Sequence, residues 1–299
     1  MEQNDRAGLL YTMAGFVLLS CGDAVIKTMA GMWAPTGIAM MRYAIGAIGL
    51  SALLFAVERK TVFSMPRPGL QWLRGFSVGM ATIGFFAALF VMPLAEATTI
   101  VFVSPMITGL LAPLFLKERA RAATFIASAI AFVGVIVVLR PNFADLGLAA
   151  LLPLVSAVGM SLLFMANRAA AGLASALAMQ AYISATAAVI LVAATVFGHV
   201  SGNAALALDW PHWSVIARCA IVAFSASVAH WLIYLGTTRA GAATVAPTTY
   251  VQLVVAITLG WLLFEDRPDI VTLLGGAIII GAGLFLWREG RVKDVPMSD

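Results

Sequence analysis

LFLKER, Leu114 to Arg119, closes one apolar run of the chain, and WLLFEDR, Trp261 to Arg267, closes another. Their acidic residues, Glu118 and Glu265, stand 147 residues apart in a chain of 299. Other marks keep that offset. Gly134 in AFVGVIVVL falls on Gly281 in IIIGAGLFL, and Arg74, a few residues out of step, falls near Arg218. Each match is loose alone. Together they predict one structural unit written twice, over residues 1–141 and 142–299.

The repeated unit is built of apolar segments. Hydrophobic residues make up 62% of the chain and charged residues 11%, with a mean hydropathy of +0.99. Soluble domains carry roughly 25% charged residues, so a soluble globule is excluded. Apolar spans run near 8–30, 35–57, 70–92, 95–116 and 121–139, then near 146–167, 173–197, 213–238, 243–264 and 270–287. A hydrocarbon core about 30 Å thick needs roughly 20 apolar residues per helical crossing, which these spans supply. They are apolar on all faces, unlike the alternating strands of about ten residues in a membrane β-barrel. The predicted fold class is therefore an all-α integral membrane protein, with ten transmembrane helices as two five-helix repeats. Five is odd, so the second repeat enters the membrane inverted. Inverted repeats around a midplane site are a common construction of secondary transporters.

Charge sets a direction. With the N-terminus in the cytoplasm, 13 of the 18 Lys and Arg residues fall on the inside and only Arg140 and Arg267 in outer loops. The positive-inside rule then puts both termini in the cytoplasm of a bacterial-type inner membrane. Trp33, Trp210, Trp213 and Trp261 fall near the outer interface, and Trp72 and Trp287 near the inner one, where amphipathic rings settle. The net charge of +4 reflects these loops and gives no support to nucleic-acid binding. Cys21 and Cys219 are too few for a disulfide framework or a metal centre. HExxH, P-loop and GxSxG motifs are absent from the sequence, so no cofactor, metal or catalytic residue is expected.

Polar residues inside the spans carry the candidate chemistry. Pro105 and Pro113 interrupt the fourth span and Pro247 the ninth. A helical proline frees the carbonyl four residues back, here Val101 for Pro105 and Ala243 for Pro247, and lipid does not tolerate an unsatisfied carbonyl. Ser104, Thr108, Thr248, Thr249, Tyr250 and Gln252 supply polar groups at that depth. Pro105 and Pro247 thus read as helix-break or gating positions, and Ser104, Tyr250 and Gln252 as substrate contacts. Packing kinks satisfied by Ser and Thr are the plainer alternative.

Asp23 is the one carboxylate well inside a span, and an intramembrane charge must face the bundle interior. It either pairs with Lys27, one turn later, or binds a substrate amine or a coupling proton. Lys27, Arg42 and Arg218 sit at one depth near the outer ends of their spans. They form a vestibule for a carboxylate or phosphate, or each snorkels to headgroups. His230, Trp231 and Tyr234 offer an aromatic wall in the eighth span, with His230 either a proton group or an interhelical hydrogen-bonding residue. Gly75 and Gly79, and Ala277 with Gly281, have the spacing of close helix contacts.

With LFLKER and LLFEDR each followed by a Gly-bearing final helix, SCGDAVIK (Ser20 to Lys27) closing the first span and MMRYAIGAIGL (Met40 to Leu50) opening the second, the chain resembles the drug/metabolite transporter superfamily in its ten-helix EamA-like branch. The resemblance implies helices one to four and six to nine around a central cavity, with helices five and ten peripheral. It also implies transport of small metabolites across the bilayer. Asp23, the cations and the aromatics would suit an exported amino acid or related zwitterion. Uptake of a larger metabolite or cofactor precursor is the alternative, and a membrane-embedded lipid-modifying enzyme is the rival outside transport.

Overall fold

The computed structural model describes residues 2–59, 64–116, 122–240 and 246–291, and among them every regular element is helical. In order these are α1 (Glu2–Lys27), α2 (Pro35–Glu58), α3 (Pro68–Val91), α4 (Leu94–Val101), α5 (Ser104–Leu116), α6 (Ala122–Leu146), α7 (Leu152–Ala169), α8 (Ala176–Val200), α9 (Trp213–Ala240), α10 (Val251–Phe264) and α11 (Ile270–Arg291). Short 3-10 turns precede α7 (Gly147–Leu151) and α10 (Ala246–Tyr250). Among the described residues eight spans are long and apolar enough to cross a membrane, α4 and the start of α5 together making one of them, and α6 and α11 add shorter apolar stretches, Phe125–Leu139 and Ile270–Phe285. Glu118 and Ala243 lie outside the described residues.

Local chemistry sets the helix ends. Pro35 and Pro68 open α2 and α3, where a missing N–H costs nothing. Ser175 caps α8, its Oγ accepting from Ala178 N at 3.1 Å. That cap, with Gly172 at φ +77°, separates α7 from α8 inside the Ala-rich stretch that composition leaves weakly punctuated. The fourth span is two helices. α4 ends at Val101, and Phe102 and Val103 make tight turns to Thr99 and Ile100, each at 3.2 Å, before Pro105 starts the next helix in its first turn. The ninth span is irregular at the matching place: α5 begins at residue 104 and α10 at residue 251, 147 apart like Glu118 and Glu265.

The chain forms two compact units, each drawn from both halves of the sequence. The first comprises Met1–Ala24, Met92–Ala150 and Ser225–Asp299, and the second Val25–Val91 and Leu151–Phe224. In the second unit α2 packs on α8 and α3 on both α7 and α8. In the first, α4 packs on α10 and α6 on α11. There α1 also meets α9, with Gly15 against Ala229 and Ile233 and Gly236 against Gly8 and Thr12. These pairings carry the repeat. The second, fourth and fifth spans each meet their own equivalents in the other half, and the contact of the third with the sixth maps onto that of the eighth with the first.

Small residues make the contacts close. A methyl at Gly75 would collide with Thr186, as the Gly75/Gly79 spacing predicts. Gly84 and Gly159 set a second approach, between α3 and α7: a Cβ on Gly159 would stand 2.6 Å from Ala81 N, and one on Gly84 2.8 Å from Ser156 N. In α11 the packing residue is Gly275, which faces Gly134 and Val138 of α6, while a Cβ on Gly281 would meet open space. The Ala277/Gly281 expectation is corrected accordingly.

Candidate functional site

In the first unit the half-buried Asp23 of α1 meets the ninth span. Gln252 Nε2 donates to Asp23 Oδ2 at 3.2 Å, and Ser20 Oγ, one turn earlier on α1, donates to the Gln252 carbonyl at 3.1 Å. Gln252 is the second residue of α10, immediately past the irregular turn that contains the half-buried Pro247. Two residues named from sequence, Asp23 and Gln252, are thus brought together by a contact that spacing along α1 did not suggest. An ionised carboxylate only accepts hydrogen bonds, so a proton on Asp23 would change what Gln252 can donate to.

The two helix breaks also meet. Phe102, in the break of the fourth span, stacks edge-to-face on Tyr250 with ring centroids 5.5 Å apart, and the Tyr250 hydroxyl lies over Gly283 of α11. Ser104 is buried at the start of α5 and its carbonyl accepts from Thr108 Oγ1 at 2.8 Å, while Pro105 is exposed. On α9, His230 Nδ1 pairs with its own helix at the Ala226 carbonyl, 2.6 Å away. Trp231 and Tyr234 expose 61% and 49% of their surfaces, so neither is core packing of this unit.

In the second unit Lys27, Arg42 and Arg218 take separate roles. Arg42, half-buried on α2, holds its guanidinium 4.9 Å from the Tyr43 ring centroid and 5.6 Å from that of the buried Phe86. Arg218 donates to Thr28 O at 3.0 Å and lies 3.3 Å from Met32 Sδ, so it serves the free carbonyls just past the end of α1. Lys27 is half-buried in the last turn of α1. A shallow groove at the end of α10, lined by Ile257, Thr258, Trp261, Arg267 and Pro268, contains none of these residues.

Three polar features escaped the sequence reading. Arg74 is 5% exposed on α3 and donates from Nε to Asn167 Oδ1 at 2.7 Å and from Nη1 to Gln71 Oε1 at 2.6 Å and Met179 O at 3.2 Å. In the sequence it reads only as a mark of the repeat, near the register of Arg218. Asp266 Oδ2 accepts from Leu94 N, the first residue of α4, at 3.4 Å, so the acidic turn of the second half caps the fourth span. Glu96 is buried in the first turn of α4, with Thr272 Oγ1 3.5 Å from its carboxylate. The last two tie the start of α4, in the first half, to the turn after α10 and to α11, in the second, a pairing that no local motif announces.

Among solved structures 27 chains match this one. A crystal structure described only as that of a protein aligns at 19% identity over 95% of this chain and 98% of its own, with a TM-score of 0.62, which shows a shared fold. No curated protein matches the chain. The EamA-like transporter family model matches twice, over residues 6–140 and 147–288, which together span nearly the whole chain. The two matches begin five spans apart, so the second repeat is inverted relative to the first, and the chain belongs to the EamA-like transporter family.

Proposed function

We propose that this family member is a secondary carrier that moves small organic metabolites by alternating access, with amino acids or related zwitterions leaving the cell as its cargo. The observation that carries the reading is the hydrogen bond from Gln252 to Asp23, which ties an intramembrane carboxylate to the irregular start of a membrane helix. Broken helices at the midplane are where carriers of inverted-repeat type bind solutes, because unwound backbone there offers polar groups that lipid would not tolerate. Asp23 takes the amine of the cargo or a coupling proton, and Trp231 and Tyr234 supply apolar and aromatic surface. The excess of Lys and Arg in the loops of one side supports a placement with both termini in the cytoplasm of an inner membrane. Uptake of a larger, flat metabolite is supported by the guanidinium of Arg42 over the rings of Tyr43 and Phe86.

The test is counterflow of a labelled amino-acid and metabolite panel in proteoliposomes, comparing wild type with Asp23→Asn at several pH values. Persistent exchange with loss of pH-driven accumulation in the variant is the expected outcome and makes Asp23 the coupling site. Unchanged exchange and accumulation would make the Asp23–Gln252 contact structural only. Product formation by purified protein without a second compartment would favour the lipid-modifying enzyme instead.

A further inference from the structure

The second unit is unbalanced in charge. It holds eight of the chain's 18 Lys and Arg residues but only two of its 14 carboxylates, Glu58 and Asp209, for a formal charge of +6. Glu58 Oε1 accepts from Ser175 Oγ at 2.6 Å, and Asp209 is exposed in the loop before α9. Arg74 is the most deeply buried of the cations described in this unit. Side chains from α3 and α7 and a carbonyl of α8 converge on it, and every one of these acceptors is neutral: Asn167 Oδ1, Gln71 Oε1 and Met179 O. None of those contacts uses Nη2, and among the described residues no carboxylate stands within ion-pair distance of Arg74.

A buried charge is costly unless an opposite charge balances it. Neutral acceptors solvate a guanidinium without cancelling it, and they fix its plane and the direction of its remaining donors. Gln71 is itself held, fully buried, by a hydrogen bond from Nε2 to Pro66 O at 3.2 Å, so the acceptor set is braced from behind. Such a preorganised, uncompensated cation suits an oxyanion, which would accept from the N–H groups of Nη2, the donors its neighbours leave unused. We propose that Arg74 is the binding group for the carboxylate of a small solute. The proposal rests on the carrier reading and deepens it by assigning an anionic group to the cargo.

The experiment is thermal unfolding of the purified full-length chain in neutral detergent, titrated with sodium acetate against sodium chloride of equal ionic strength. Wild type shows a saturable rise in Tm with acetate beyond that with chloride. Arg74→Lys keeps the charge but loses the clamped guanidinium plane and its Nη2 donors, and the acetate midpoint moves up at least about tenfold. Asn167→Asp places a carboxylate on the Nε bond, so the acetate response disappears while the starting Tm holds or rises. Gln71→Glu makes the same neutralisation from α3 if Asn167→Asp does not fold.

An unchanged acetate response in the neutralised variants, or a wild-type response no greater than that to chloride, would overturn the proposal and leave Arg74 a clamp between helices. A response to phosphatidylglycerol but not to acetate would overturn it in favour of a lipid headgroup. Acetate binding of the expected pattern in a protein that exchanges no solute would support this site while overturning the carrier reading.

Discussion

Asp269 shows how much one side chain does at a helix end. Its Oδ1 accepts from Thr272 N at 2.7 Å and its carbonyl from Leu273 N at 3.1 Å, the geometry of an N-cap on α11. Hydrogen bonds from the Thr272 backbone and side chain hold its carboxyl below the usual carboxylate range. A depressed pKa contributes stability that is present above the unfolded value, near pH 4, and is lost as pH falls through the folded one. Asp269→Ala should therefore cost about 1 kcal/mol at neutral pH, with Asp269→Asn retaining most of the cap. The difference between wild type and Asp269→Ala should shrink below about pH 4, as followed by thermal unfolding across pH. Glu265 behaves otherwise. It ends α10 in the left-handed region at φ 57°, and it is its neighbour Asp266 that contacts Leu94 N of the first repeat.

The helices are punctuated by prolines and glycines whose effects differ by position. Pro105 sits where α4 stops and α5 starts, and its missing donor prevents one continuous helix. Pro105→Ala restores that donor, and we expect the maximal exchange rate to fall several-fold while the half-saturation concentration holds, since the break moves and does not bind. Kinetics of reconstituted protein would check the split. Gly159→Ala would drive a methyl into the Ala81 backbone nitrogen and the Ser77 carbonyl, at 2.6 and 2.8 Å. Backbone cannot rotate aside, so a loss of about 1–3 kcal/mol is expected. Gly281→Ala meets nothing within 4 Å and should gain up to about 1 kcal/mol from helix propensity. Paired thermal unfolding of the two variants decides it. The sequence displays both glycines equally. Residues 275 and 281 lie about 240° apart around a helix, and spacing alone does not say which side meets α6.

At the scale of the whole molecule, the ten apolar spans and the twofold writing of the chain were legible, because hydrocarbon thickness dictates run length and the Glu118/Glu265 offset survives in the residues. The breaks were legible too, through Pro105 and Pro247. What the residues could not display is partnership across the halves. Asp23 and Gln252 are 229 apart in sequence, and Arg74 and Asn167 93 apart, so no helical spacing joins them. The same holds for the interleaved units, in which each half supplies helices to both. Arg74 shows the consequence: read from its place just inside a span it is one more inner cation, and only the convergence of three helices makes it a buried charge. An inverted repeat gives one chain two similar conformations of opposite access, which is the physical basis for a carrier. Trans-stimulation in proteoliposomes tests this most directly, by measuring efflux of a labelled solute with and without unlabelled solute on the far side. A carrier gives saturable efflux that speeds up when the far side is loaded. Efflux that rises linearly with concentration and ignores the far side would mean an open pore and contradict alternating access.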